Sequence, residues 1–419
     1  MTVSNPNNTN TNYTVPLIVL TSLFFMWGFI TSLNDILIPH LKAVFDLTYF
    51  KAMAVNSAFF GAYFVVSYPA GIMVKKVGYQ KGLVIGLLIA AIGCVGFALA
   101  ANIHEYSVFL LALFVLASGI TVLQVSANPY VSRLGPEHTA SSRLTLTQAF
   151  NSLGTTVAPY FGAVLILSVA VLSSAELEQM TDEALQAYNL ERSKAVMLPY
   201  FMLASALGAL ALVFSFLKLP TIAQDNSETI DSSDSIWKHS HLVLGVVAIF
   251  CYVGAEVAIG SVLTNFFAQP EIGGMPEHEA AKYVSLYWGG AMIGRFIGAY
   301  VMLKVKANMV LAFNATMSAL FVVITMITTG QIAMYAILAV GLFNSIMFPT
   351  IFSLAINRLG ALSSRGSGVL CMGIVGGALI PPVQGLIADI STLQVSFFIP
   401  VLCYLYIVFY GVKGAIPKS

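Results

Sequence analysis

Asp35 lies inside residues 24–42, an otherwise apolar stretch, with Asn34 beside it and Thr31 one helical turn earlier. A carboxylate held in hydrocarbon costs about 2.5–3.5 kcal/mol on insertion scales, so it is retained where it meets a partner, a water-filled cavity or a passing ion. Two readings follow: an interfacial acid paired with Lys42, or a cavity-facing carboxylate that binds and releases a cation. Intramembrane acids favour the second. Glu256, in the middle of another apolar stretch, poses the same choice between a cation-binding acid and a structural acid bonded to nearby hydroxyls.

The second chemical set is made of amides. Thr121, Gln124 and Asn128 recur at steps of three and four and share one helix face, with Pro129 following. Gln148 and Asn151 lie one turn apart on the next stretch, before Thr155. Primary amides donate and accept at once, which suits a neutral polyol such as a sugar. One membrane amide alone is more often a link between helices, worth about 1 kcal/mol. Four on adjacent helices, with an acid on the first, point to a shared polar cavity. Asn265 and Asn344 are the corresponding candidates in the second half, and Trp288, beside Tyr287, offers a face for a sugar ring. Catalytic templates are missing: the six histidines lie at segment ends or in loops, and no HExxH, GxSxG or GxxxxGKS occurs. No enzyme, metal centre or cofactor is expected, apart from a coupling ion.

These residues need elements to hold them. The chain is 58% hydrophobic and 9% charged, whereas soluble domains carry roughly 25% charged residues. The net charge of +1 gives no basic face for nucleic acid. The four cysteines fall in apolar segments and read as small buried hydrophobes. A spanning helix needs about 20 apolar residues. Twelve segments qualify: 15–39, 50–73, 82–101, 106–131, 144–168, 195–217, 242–267, 283–303, 309–329, 332–356, 367–388 and 394–414. The predicted class is therefore an all-α membrane protein embedded in a lipid bilayer. Thirteen Lys and Arg fall in one set of alternate loops and five in the other, which predicts both termini on the cytoplasmic side of a plasma or inner membrane.

Residues 1–14, rich in Asn and Thr and without Lys or Arg, read as a disordered cytoplasmic tail, not a secretory signal. Residues 219–241 form the long polar cytoplasmic loop, and 169–194 an acidic external one. The expected division is a six-helix bundle over 15–218, a linker over 219–241 and a second bundle over 242–419. An internal repeat supports it. Arg133-Leu134-Gly135 matches Arg358-Leu359-Gly360; Ser-Ser-Arg follows each at 141–143 and 363–365; Pro159 and Pro381 come later. Small residues every four positions (Gly154, Ala158, Gly162; Gly290, Gly294, Gly298) permit close helix contact. They are either ordinary packing or two stripes that meet where the halves slide.

The twelve spans in two halves, the central loop and residues 71–78 (GIMVKKVG) resemble the major facilitator superfamily, although Lys75 stands where that loop motif usually has an acid. Residues 33–42, 123–137, 142–162 and 252–261 are similar to the fucose–galactose–glucose:cation symporter family, glucose/galactose branch. The resemblance implies twin pseudo-symmetric bundles and import of a neutral hexose with H⁺ or Na⁺. In the fucose-permease branch an aspartate on the first span and a glutamate on the fourth carry the proton. Asp35 matches the former, but Gln124 stands at the latter and cannot release one. Asn151 and Gln148 match positions tied to sugar binding or coupling. Asp35 and Glu256 are then the expected coupling pair, with an Na⁺ site near Asp35 as the competing idea. Asn34, Gln124, Asn128, Gln148, Asn151, Asn265, Asn344 and Trp288 are the expected sugar contacts. A monomer is expected. The rivals are a symporter for fucose or N-acetylglucosamine, a non-transporting sensor or assembly protein on the same fold, a polytopic enzyme, and a drug exporter, whose pocket would be greasier.

Overall fold

The computed structural model describes residues 14–44, 49–103, 105–165, 180–181, 183–184, 188, 197–217, 219–220 and 235–417; side chains at 14, 33–44, 49–57, 101–102, 159–165, 277–278 and 281 are not among them. The described residues are helical, with no strand. Nine of the spans are single helices: Thr14–Val44, Tyr49–Val77, Tyr79–Ile103, Tyr106–Arg133, Ala140–Leu165, Met197–Phe216, Ser240–Ala268, Glu277–Val301 and Ala307–Ile327. The tenth is broken into Gly330–Asn344 and Met347–Ala355. The eleventh runs through Ser363–Met372, a 3₁₀ turn at Gly373–Val375, and Gly376–Ile390. The twelfth is Leu393–Ser396 and Phe398–Phe409, closing in a π turn at Tyr410–Gly414.

Among the described residues, ten of these spans are long and apolar enough to cross a membrane. The fifth and eighth carry more polar side chains: Gln148, Asn151 and Ser152 on one, Glu279, Lys282 and Arg295 on the other. Outer faces are greasy. Leu88, Ile92, Leu99, Leu212 and Phe216 in the first half, and Ile297, Phe313, Leu320 and Ile327 in the second, are all exposed. Apolar faces of this extent on helices of spanning length suit contact with lipid.

Packing follows the repeat. In the first half span one lies on five, two on four, and three on both four and six; in the second, seven lies on eleven, eight on ten, and nine on both ten and twelve. Adding six to each number turns one set into the other. The halves meet through the same symmetry, two against eleven and five against eight.

Proline shapes the inner spans. A helical proline frees the carbonyl four residues back, and three such carbonyls accept side-chain donors here. Pro129 frees Val125 O, which takes the Ser367 hydroxyl at 3.0 Å. Pro349 frees Ser345 O, at the break of the tenth span, which takes Arg295 Nε at 3.0 Å. Pro159 frees Thr155 O, which takes Ser32 Oγ at 3.1 Å.

The repeated Arg-Leu-Gly and Ser-Ser-Arg residues gather at one end, with Lys75 and Lys76, and the halves are closed there. Arg143 caps the fourth span, giving Nη2 to Ser132 O at 2.7 Å and Nη1 to Pro136 O at 2.8 Å, around Gly135 at φ 114. Across the halves, Arg133 donates to Gly360 O at 3.2 Å, Ser142 to Ala299 O at 2.6 Å, and Ser141 pairs with Ser353 at 2.6 Å. Ser142 and Ser367 each stand nine residues beyond their repeat's arginine, and each reaches into the opposite half. A Cβ on Gly368 would come within 2.6 Å of Ser67 O, so glycine lets spans two and eleven touch backbone to backbone.

The described glycines of the two stripes pack inside their own halves, and the contacts of Gly162 lie outside the described residues. Gly154 lies against the backbone of Phe25 and Phe29 on the first span, and Gly290, Gly294 and Gly298 lie against Leu342, Ser345 and Ile346 on the tenth. The halves instead meet between spans five and eight through larger groups: Phe150 on Phe296 at 5.9 Å, Thr156 on Met292, and Ser152 on Arg295.

Candidate functional site

The inner spans carry the polar residues. Gln124 is nearly buried and gives Nε2 to the Tyr63 hydroxyl at 2.7 Å, while its Oε1 has no partner. One turn on, Asn128 is fully buried with neither amide atom bonded. On the fifth span Asn151 gives Nδ2 to Phe24 O at 2.9 Å, crossing to the first span. Gly28 makes this approach feasible, since a Cβ there would strike the Asn151 carbonyl. Gln148 is buried one turn before Asn151. Thr31 bonds back to Trp27 O and Gly28 O, so its hydroxyl serves its own helix. Asn34 and Asp35 fall in the first helix, and their side chains lie outside the described residues.

The second half repeats the pattern in its own chemistry. Asn344 on the tenth span gives Nδ2 to the Tyr287 hydroxyl on the eighth at 2.8 Å, as Gln124 on the fourth does to Tyr63 on the second. Asn344 Oδ1 is unbonded, and so is the buried Tyr404 hydroxyl next to it. Tyr252 donates to Glu256 Oε1 at 2.7 Å along the seventh span. Arg295 adds positive charge beside Glu256 and links the halves, donating Nη1 to Ser152 Oγ and Nε to Ser345 O. The structure thus groups Glu256 with Asn344 through Tyr252, Tyr287 and Tyr404. Asn265 stands exposed further along the seventh span, away from this group in sequence. Trp288 is half-exposed, edge-on to Tyr287 and against Gly260.

Buried polar atoms are almost always bonded. Here Gln124 Oε1 and both Asn128 atoms on the fourth span, Asn344 Oδ1 on the tenth, both amide atoms of Gln384 on the eleventh and Tyr404 OH on the twelfth are unbonded. Amides and phenols of this kind offer donors and acceptors without charge, the set that a neutral, hydroxyl-rich ligand satisfies. Sequence reasoning found the amides and missed Tyr63, Tyr252, Tyr287 and Tyr404. Arg295 and Gln384 were also missed as site candidates. Two signals were available: a lone arginine inside a span needs acceptors, and Pro349 supplies one by freeing Ser345 O.

Twin six-helix bundles related by symmetry, joined across their seam by polar contacts and greasy outside, define a multi-pass membrane protein of the twin-bundle carrier class. The chain belongs to the Major Facilitator Superfamily, whose family model matches residues 18–381. It is 54% identical over 417 residues to the glucose/galactose transporter of Brucella abortus biovar 1, covering 98% of both chains. It is 37% identical to the L-fucose-proton symporter of Escherichia coli K12, covering 94% of this chain and 91% of that one. The solved structure of FucP in the outward conformation superposes with a TM-score of 0.89 at 37% identity, over 96% of this chain and 98% of that one.

Proposed function

We propose that this chain imports a neutral hexose of the glucose/galactose type by proton symport, with two bundles rocking about a midplane site. The observation that carries this reading is the end-to-end 54% identity to a protein named as a glucose/galactose transporter. The unbonded amide and phenol atoms on the inner spans support it, because they match the hydrogen-bonding needs of a sugar. The relative named as an L-fucose-proton symporter favours H⁺ over Na⁺ as the coupling ion.

In this account Asp35 carries the coupling proton, since Gln124 cannot. A charged, unpaired Asp35 resists the occluded state and the protonated form tolerates it, so proton and sugar cross together. Asn34, Gln124, Asn128, Gln148 and Asn151 hold sugar hydroxyls from the first half. Asn344, Tyr287 and Tyr404 hold them from the second, with Asn265 and Trp288 as outer contacts. Glu256 is the second titratable group, oriented by Tyr252. The moving units are residues 15–218 and 242–419, and the chain acts as a monomer. Excess positive charge at the closed end assigns that end, and both termini, to the cytoplasm of the inner membrane. The structure is then the outward-facing state.

The test is uptake of labelled glucose and labelled galactose into proteoliposomes, with a pH gradient and an Na⁺ gradient imposed separately. Accumulation driven by the inwardly directed proton gradient alone supports the proposal. Binding without flux under either gradient points to a sensor on the same fold, and accumulation driven only by Na⁺ replaces the ion.

A further inference from the structure

Two of the four cysteines meet. Cys251 on span seven and Cys403 on span twelve are both free, and their thiols share a hydrogen bond. The register of the two helices accounts for the meeting. Span twelve runs antiparallel to span seven, and Tyr406 Oη donates to Leu244 O at 3.2 Å. Tyr410 Oη donates to His241 O at 3.2 Å, and a Cβ on Gly245 would come within 3.0 Å of the same hydroxyl. Seven residues back from Tyr410 and six on from Gly245, two opposed turns bring Cys403 level with Cys251. The other cysteines, Cys94 on span three and Cys371 on span eleven, are fully buried.

The pair lies deep in the span and opens to lipid. Cys251 stands eleven residues past Ser240, about 16 Å along the helix. It is half-buried and follows the exposed Val247 by one turn. Cys403 is 6% exposed, between the exposed Leu402 and Leu405. A ligand that arrives through hydrocarbon has to be uncharged, which excludes a bare metal ion. Oxidation to a disulfide by exchange runs through a thiolate, which the same surroundings oppose. A neutral trivalent arsenical needs neither charge nor oxidant. Two As–S bonds form, the bond from arsenic to its oxygen breaks, and both thiol protons leave with that oxygen as water. Arsenic stays trivalent throughout.

We infer that Cys251 and Cys403 form a dithiol site that a lipid-soluble trivalent arsenical closes, and that closing it disables the second half of the sugar path. The second part follows from adjacency and rests on the proposed function; the first does not. Tyr252, the next residue on span seven, donates to Glu256. Tyr404, the next on span twelve, stands beside Asn344, Tyr287 and Glu256. Arsenic holds the two sulfurs at the separation its own bonds dictate, so both helices shift and carry these tyrosines with them. A misplacement of about 1 Å at a working site can cost about 100-fold.

The full chain in liposomes is treated with phenylarsine oxide, rinsed with 2-mercaptoethanol to strip arsenic held by one thiol, and weighed intact and as peptides. One phenylarsenic group per chain, joining the peptides of Cys251 and Cys403, is expected, and ethanedithiol should remove it. Cys251→Ala and Cys403→Ala should each lose the adduct, and Cys94→Ala/Cys371→Ala should keep it. No bridged peptides in the parent, or an adduct that survives Cys251→Ala, overturns the site. In the same liposomes uptake of labelled galactose should fall about tenfold or more on treatment and return with ethanedithiol. Uptake by Cys251→Ala should not respond to the reagent. A bridged adduct with unchanged uptake overturns the link to the sugar path. The mass reading stands whether or not galactose crosses, so failure of the site and failure of the proposed function are read separately.

Discussion

Gln124 and Asn344 do the same work in opposite halves, each giving one amide proton to a tyrosine and keeping its oxygen unbonded. The phenol fixes the amide's orientation and leaves its oxygen unbonded, which is the acceptor the proposed function gives to a sugar hydroxyl. Gln124→Ala removes that acceptor and strands the buried Tyr63 hydroxyl. A sugar hydroxyl buried without its acceptor costs about 1–3 kcal/mol, so sugar affinity should fall roughly 5- to 150-fold, read by equilibrium binding of labelled hexose. Tyr63→Phe on the Gln124→Ala background should then cost less than it does alone, because the partner is already gone. Unchanged affinity in Gln124→Ala removes this residue from the site. The amides were legible in the sequence because a polar side chain stands out in an apolar span. The tyrosines were not. An aromatic ring inside a span is ordinary packing until a neighbouring helix supplies a polar partner, and that pairing exists only in three dimensions.

The elements were legible for the same reason, since twelve apolar runs separated by basic turns leave little choice of fold. What the runs could not say was which face each helix turns to which neighbour. Gly154 and Gly294 read alike in sequence, yet one faces the first span and the other the tenth. The decisive local feature is proline, whose effect on the carbonyl four residues back is calculable but whose beneficiary is not. Val125 O serves Ser367 of the opposite half, and so a kink in one bundle becomes a latch on the other. Pro129→Ala restores the helical bond to Val125 O and takes the latch away. A hydrogen bond of this kind contributes about 0.5–1.5 kcal/mol, so the open fraction at the basic end should rise roughly two- to tenfold. The readout is thiol labelling of a cysteine placed at Ser364, faster in Pro129→Ala than with Pro129 kept. Equal labelling rates would leave Ser367 without a gating part.

At the scale of the whole molecule, two half-sites of different character face one seam. The first half contributes four amides and the Tyr63 phenol; the second contributes one amide, Asn344, with three phenols, Glu256 and Arg295, which spans the seam to Ser152. The rocking proposed above requires the Arg133, Ser142 and Ser367 contacts at the closed end to break together, which favours two discrete facings over intermediate positions. The repeat in the sequence foretold the symmetry of the bundles, while the unequal chemistry of the halves follows from which inner positions the repeat did not preserve, Gln124 and Glu256 among them. Coupling belongs to this scale as well. Asp35→Asn should still exchange labelled for unlabelled sugar but should no longer accumulate it against a gradient, as measured by counterflow beside active uptake. Accumulation equal to that of the parent would take the proton away from Asp35.

The most direct measurement records external pH while glucose or galactose is added to lightly buffered proteoliposomes held without an imposed gradient. The account predicts a sugar-dependent alkalinisation of the medium with the parent chain and none with Asp35→Asn. Sugar entry with a flat pH trace in the parent would contradict it.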